Sequence, residues 1–116
     1  MSSPRIESYR FGRMVIDGKS HSKDVIILPE RVVGNWWRDK GHLLQPGDLQ
    51  VVYEAHPEIL VVGQGAYGQM QIAEETREAL ESAGIELISQ SSNQAVETYN
   101  ALREKRLVAG AFHLTC

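Results

Sequence analysis

The sequence predicts a single α/β domain in which a central mixed sheet is flanked by helices and joined by a small antiparallel N-terminal β part. Three observations predict this fold class. The first third of the chain alternates apolar runs with turn signals, which is typical of strands. The second half alternates apolar runs with helical patterns, which favours a partly parallel sheet. A length of 116 residues suits one core, so one domain is expected over 1–116.

The N-terminal part is expected to be antiparallel. Tyr9 to Ile16 forms a strand-like stretch, and Asp17-Gly18 after it is a strong signal for a two-residue hairpin. A second strand over 25–28 ends at Pro29, which cannot donate to a central ladder. An irregular segment over 32–42 follows before the next predicted helix.

The second half is expected to alternate helices and strands. A helix begins near Asp48, and the apolar run Ile59 to Val62 is continuous, so we expect it to be covered on both faces. Two acids and a following Gly84 bound a helix over 73–83. The other predicted elements are a short extended piece over 69–72, a strand over 85–88, a helix opened by a capping box at 91–94, and a strand over 108–114.

Composition excludes several classes of protein. With 12 basic and 15 acidic residues the net charge is -3, so we expect no nucleic-acid binding. No apolar run approaches the roughly 20 residues of a membrane-spanning helix, so no membrane partner is expected. The single cysteine, Cys116, excludes an intramolecular disulfide, and no secretory signal is evident at the start. These features predict a cytoplasmic protein.

The glycine-rich loop has the pattern of a dinucleotide-binding fingerprint, with Gly63, Gly65 and Gly68 as its glycines. Four residues separate the loop from the helix start at Ala73, and Glu86, the candidate ribose ligand, lies too early in its strand. We therefore expect no nucleotide cofactor. The first two glycines are expected to allow a sharp turn with positive φ, and the third a bulge or a close backbone contact. The alternative is that the loop's N–H groups hold a small anion.

Two further clusters are candidate sites. Trp36, Trp37 and Arg38 combine aromatic side chains with an arginine, as binding hot spots do. The competing interpretation places one indole in the core and pairs Arg38 with Asp39 at the surface. His113 and Cys116 place an imidazole near a thiol. Two ligands cannot make a structural zinc site, so we expect no metal. A Cys–His nucleophile and an inert terminal thiol both remain open.

Several segments carry a family resemblance through their order and spacing. They are Trp36-Trp37-Arg38 with Gly41-His42, Gln45–Asp48, Leu60–Gly65, Gly84-Ile85, Ala95-Val96 with Tyr99–Leu102, and Val108–Cys116. The chain resembles the adipogenesis-associated (Mth-type) domain family, which is related to a mitochondrial respiratory complex I assembly-factor family and has mostly uncharacterised prokaryotic members. It departs in having Ser92 where the family often has threonine, and adjacent tryptophans where one residue usually separates them. The resemblance implies the mixed-sheet fold and almost nothing about a reaction, because no catalytic activity is established for the family.

These observations predict a small soluble protein that acts as a non-enzymatic binding or assembly-type module with a protein partner. The alternative is a small-molecule or anion-binding protein, including an enzymatic version, with its site at the Gly63–Gly68 loop. No metal or cofactor is expected, and the sequence does not determine the oligomeric state. The candidate binding residues are Trp36, Trp37, Arg38, Gly63, Gly65, Gly68, His113 and Cys116.

Overall fold

Ten short strands and three helices build the protein in a computed structural model that describes residues 2–116. The strands are β1 (Ile6–Arg10), β2 (Arg13–Ile16), β3 (Lys19–His21), β4 (Val25–Ile27), β5 (Val32–Val33), β6 (Leu43–Leu44), β7 (Ile59–Gln64), β8 (Gln71–Ile72), β9 (Glu86–Gln90) and β10 (Val108–His113). The helices are α1 (Gln50–Ala55), which follows a 3₁₀ turn at Pro46–Leu49, α2 (Glu74–Ser82) and α3 (Ser92–Leu102).

The central sheet has five strands in the order β5-β4-β10-β7-β9. Strands β7, β9 and β10 are mutually parallel, whereas β4 is antiparallel to both β10 and β5. A separate antiparallel sheet contains β1, β2 and β3, and β6 pairs with β8 in parallel. The predicted fold class, a mixed sheet with helices and a small antiparallel N-terminal part, is confirmed. None of the helices within residues 2–116 is long and apolar enough to cross a membrane.

The strand directions bring several chain segments to one edge of the central sheet. Because β5 and β10 are both antiparallel to β4, the strands β5, β7, β9 and β10 all end on the same side. We call this side the carboxyl edge. It holds the residue before β4, the segment after β5, the glycine-rich loop after β7, the start of α3, and the residues after β10. Ligands of α/β proteins commonly bind at such an edge.

The hydrophobic core lies on both faces of the central sheet. In β7, Leu60 and Val62 face a cluster that includes residues of α1 and α2, while Ile59 and Val61 face a cluster with residues of α3, β1 and β2. All four side chains are essentially inaccessible to solvent. The continuous apolar run is therefore covered on both faces, as the sequence predicts.

The N-terminal hairpins differ from the prediction in one respect. The stretch from Tyr9 to Ile16 is two strands rather than one, because Phe11 and Gly12 turn the chain between β1 and β2. Gly12 has φ +78°, which glycine adopts without steric cost. Asp17-Gly18 joins β2 to β3 with both φ values positive, as a type I′ hairpin requires, so that prediction is confirmed.

Gly63 lies within β7 and does not have a positive φ, so the turn predicted there is wrong. Its need for glycine comes from packing instead. A Cβ atom at this position would lie 2.6 Å from the ring of Phe112 and 2.8 Å from the hydroxyl oxygen of Ser92. Both neighbours are buried and cannot easily move away.

We expect Gly63→Ala to lower the free energy of unfolding by about 1–3 kcal/mol, since it overpacks the core. Gly47→Ala is the matched control, because no atom lies within 4 Å of a Cβ built there. Its effect should stay within about 1 kcal/mol. Urea unfolding followed by circular dichroism measures both values. Equal stability of the two variants would contradict the packing role of Gly63.

Candidate functional site

The buried side chain of Arg38 forms an ion pair with the partly buried Asp24 at the carboxyl edge. Its Nη1 atom lies 2.9 Å from Oδ2 of Asp24, although its N–H is not aligned for a hydrogen bond, so this contact is electrostatic. The Nε and Nη2 groups donate to the carbonyl oxygen of Gly41 at 3.2 and 2.8 Å. The alternative surface pair with Asp39 is therefore wrong. Arg38 is 7% exposed, and a buried charge that loses its partner is strongly destabilising.

His113, the last residue of β10, contacts the same carboxylate. Its Nδ1 atom lies 2.8 Å from Oδ2 of Asp24 and 3.2 Å from Nη2 of Arg38. One ring nitrogen cannot donate and accept at once, so the shorter contact with the carboxylate assigns the proton to Nδ1. The other nitrogen, Nε2, is buried and has no hydrogen-bond partner within residues 2–116.

Asp24 is held in its charged form by these contacts. Burial alone would raise its pKa. This effect is outweighed by two hydrogen bonds, one from His113 and one from the N–H of Leu114 to Oδ1 at 2.8 Å, and by the attraction to His113 and Arg38. The pKa of Asp24 therefore lies below its usual range. Asp24 is not among the candidate residues that the sequence predicts; the signal for it is its position directly before the buried strand β4.

The two adjacent tryptophans point into different surroundings. Trp36 is buried, with the guanidinium carbon of Arg38 4.6 Å from its ring centre. Its indole N–H donates to the carbonyl of Asp48 at 3.0 Å, and its backbone N–H donates to the carbonyl of Asp24 at 2.7 Å. Trp37 is 78% exposed. One indole is thus fixed in the core while its neighbour faces solvent.

The glycine-rich loop packs against the end of the chain. Gly65 has φ +98°, and a Cβ atom there would lie 2.8 Å from both Cδ2 of His113 and the carbonyl oxygen of Thr115. Gly68 has φ +68° with open space around it, so it is a turn residue and not the predicted bulge or close contact. Cys116 is exposed, and within residues 2–116 its thiol forms no hydrogen bond with the imidazole of His113.

Most backbone amides of this loop are already used inside the protein. The N–H of Gly65 donates to the hydroxyl of Ser92, that of Ala66 to Thr115, that of Gly68 to Gly65, and that of Met70 to Gln64. A small anion would have to displace these acceptors. The N-cap residue of α3, Ser91, forms no side-chain capping hydrogen bond, so the predicted capping box is not formed. The hydroxyl of the next residue, Ser92, is buried and donates to the carbonyl of His113 at 2.6 Å. This hydroxyl therefore accepts a hydrogen bond from Gly65, just after β7, and donates one to His113, the last residue of β10.

Three large aromatic side chains are exposed at the carboxyl edge. Phe11 is 57%, Trp37 78% and Tyr67 72% exposed. The ring centres of Phe11 and Tyr67 are 6.5 Å apart. The loop of Phe11 is fixed by a hydrogen bond from the N–H of Gly12 to the carbonyl of Leu114, and the loop of Tyr67 by one from the N–H of Ala66 to the carbonyl of Thr115. We call Phe11, Trp37 and Tyr67 the aromatic surface. Phe11 and Tyr67 are not among the candidate residues that the sequence predicts, although each stands beside a glycine in a turn.

The fold and the buried Asp24–Arg38–His113 cluster define a small mixed-sheet α/β protein with a polar cluster at its carboxyl edge. The chain belongs to a family of proteins of unknown function (DUF498/DUF598), whose model matches residues 6–113. Within residues 2–116, no three histidine, cysteine, aspartate or glutamate side chains are grouped so as to hold a metal ion.

Solved structures share this fold over nearly the whole chain. The conserved hypothetical protein PH1505 of Pyrococcus horikoshii OT3 is 28% identical, with 97% of this chain and 99% of that chain covered and a TM-score of 0.83. A protein of Bartonella henselae, described as an outer membrane protein, is 26% identical, with coverages of 99% and 98% and a TM-score of 0.85.

A third structure bears on the predicted fold. A Bordetella pertussis protein described as a Mth938-like domain is 20% identical, with 96% of this chain and 85% of that chain covered and a TM-score of 0.70. This neighbour shares the fold of this chain and so agrees with the mixed-sheet fold that the Mth-type resemblance implies. The link to the adipogenesis-associated and complex I assembly-factor relatives stays a prediction.

We expect Asp24→Asn to lower the free energy of unfolding at pH 7 by about 3 kcal/mol, because Arg38 loses its buried anionic partner. The pKa of Asp24 is lower in the folded state than its unfolded value of about 3.9. The contribution of the carboxylate is therefore complete above the unfolded-state pKa and is lost as the pH falls through the folded-state pKa. The stability difference between wild type and variant should shrink in acid.

Urea unfolding of both proteins across the acidic range measures this difference. Asp39→Asn is the control, since Asp39 is exposed and its side chain joins no ion pair within residues 2–116. Its stability should stay within about 0.5 kcal/mol of wild type. A difference between wild type and Asp24→Asn that is constant or grows below the unfolded-state pKa would contradict the assigned ion pair.

Proposed function

We propose that the protein is a non-enzymatic protein-binding module of the assembly type, and that the aromatic surface is its contact surface. One observation carries this proposal: all three exposed aromatic side chains, Phe11, Trp37 and Tyr67, lie at one edge of the sheet. Tryptophan and tyrosine are enriched among the residues that contribute most binding energy at protein interfaces. Clustered exposed apolar side chains are typical of interaction sites.

The packing behind the aromatic surface supports the same proposal. Trp37 stands between two buried residues, Trp36 and Arg38, which are both fixed by contacts with Asp24. A side chain presented by a rigid backbone loses less conformational entropy on binding than one on a mobile loop. Arg38, which the sequence analysis proposed as a contact residue, therefore acts by positioning Trp37.

Two features support the non-enzymatic part of the proposal. The amides of the Gly63–Gly68 loop mostly donate within the chain, and the thiol of Cys116 forms no hydrogen bond with His113 within the described residues. The resemblance to an assembly-factor family favours the same class of function and does not specify the partner. A cytoplasmic location is part of this proposal.

A small-molecule site is the second candidate, and one observation favours it. The Nε2 atom of His113 is buried without a partner within residues 2–116. The imidazole ring lies beside Gly65, and its centre is 5.6 Å from that of His42, an exposed residue. A buried polar atom without a hydrogen-bond partner costs about 1–3 kcal/mol, which a hydrogen-bonding ligand would recover. A thermal-shift screen of carboxylates, phosphates and nucleotides tests this candidate, and a flat screen would exclude it for those compounds.

The binding proposal is tested by affinity capture from the source cells with wild-type protein, Trp37→Ala and Tyr67→Ala as baits. We expect a partner whose recovery falls about tenfold or more with either variant, as for hot-spot residues. Leu107→Ala is the matched control, because Leu107 is also exposed, at 43%, but precedes β10 at the opposite edge of the sheet. Its recovery should equal that of wild type.

Thermal unfolding of each bait is measured in parallel. All three substitutions are at exposed sites, so the free energies of unfolding should stay within about 0.5 kcal/mol of one another. A partner recovered equally by all four baits would exclude the aromatic surface as its binding site, and the absence of any partner would count against the function itself.

A further inference from the structure

Strand β9 is an open edge of the central sheet. It pairs with β7 on one side, and no strand within residues 2–116 pairs with its other side. The other edge strand, β5, has only two residues, whereas β9 spans the five residues Glu86–Gln90. An edge of this length offers a row of backbone donors and acceptors to an additional strand.

The register shows which backbone groups are available. The N–H of Glu86 donates to the carbonyl of Glu58, and the Cα register pairs Glu86 with Ile59. Because successive residues of a strand direct their backbone groups to opposite sides, those of Leu87 and Ser89 point away from β7. Neither residue donates or accepts a hydrogen bond with a side chain within the described chain. These N–H and C=O groups are free to pair with another strand.

A cleft of about 390 Å³ runs between this edge and α2. Its apolar lining includes Ile85 and Leu87. The charged lining residues are all exposed and are mostly carboxylates: Glu74, Glu78, Glu81 and Glu86, with Arg77 as the single cation. An added strand would therefore lie beside a strongly negative helix.

This charge decides between the two kinds of occupant that an open edge can take. A second copy, paired through β9 about a two-fold axis, would bring two acidic α2 walls next to each other, and such like-charge contacts are unfavourable. A strand rich in lysine or arginine would meet complementary charge instead.

We propose that the β9 edge binds an extended basic segment of another protein by strand addition. Its backbone pairs with Leu87 and Ser89, and its cationic side chains on one face lie against the carboxylates of α2. This site is separate from the aromatic surface and does not rest on the function proposed for it. The protein then has one apolar and one acidic surface, which suit two different partners.

The test uses two synthetic peptides with blocked ends and a fluorophore, one alternating lysine with valine and the other alternating glutamate with valine. By fluorescence anisotropy, we expect the lysine peptide to bind about tenfold or more tightly than the glutamate peptide, with an affinity that falls as salt rises. In the bound state, the amides of Leu87 and Ser89 should exchange with solvent about tenfold more slowly, because they become hydrogen-bonded.

Two variants of the protein sharpen the test. Ser89→Pro removes an outward donor but no bond of the β7–β9 ladder, so it should abolish binding of the lysine peptide, whereas Ser89→Ala should retain it. The double variant Glu78→Lys with Glu81→Lys, at two exposed helix positions, keeps the strand intact and should weaken binding about tenfold. It serves as the independent variant if the proline variant does not fold.

Three results would overturn the proposal. The first is equal affinity for the two peptides, and the second is binding that leaves the Leu87 and Ser89 amides unchanged. The third is a dimer of the wild type that dissociates in Ser89→Pro, which would identify a second copy as the occupant. Trp37→Ala should bind the lysine peptide like wild type, so the two surfaces can succeed or fail separately.

Discussion

The carboxylate of Asp24 is the interaction on which the carboxyl edge depends. One oxygen accepts the backbone N–H of Leu114, and the other lies within 2.9 Å of both Arg38 and His113. A single side chain thereby joins three parts of the chain: the entry to β4, the segment after β5, and the end of β10. Burial would disfavour its charge, and the ion pair and hydrogen bonds together outweigh that effect.

This polar cluster explains how loops at the edge of a small protein can present large aromatic side chains. Loops are usually mobile, since few contacts hold them. Here Leu114 accepts hydrogen bonds from the N–H of Gly12 and the hydroxyl of Tyr9, and Thr115 accepts one from Ala66. The residues after β10 therefore tie the first hairpin to the glycine-rich loop. The loops that carry the aromatic surface are therefore held by hydrogen bonds to the residues that follow β10.

Local pattern predicted the elements better than it predicted the site. Periodicity and turn signals located β7, α2 and the Asp17-Gly18 hairpin, because those features depend on near neighbours. The partner of Arg38 could not be found in this way. Asp39 is adjacent in sequence, but the actual partners, Asp24 and His113, reach Arg38 only through the pairing of β4 with β5 and β10. Sheet order, which no local pattern specifies, assembles the cluster.

Hydrogen exchange in the Asp24→Ala variant tests the central claim, that this side chain holds the carboxyl edge, most directly. The Leu114 amide, bonded to the carboxylate, and the Trp36 indole N–H report on the edge, while the Val61 amide in β7 reports on the sheet as a whole. The claim predicts that protection of Leu114 and Trp36 falls about tenfold more than that of Val61, since their segments open locally. Equal loss of protection at all three would contradict it.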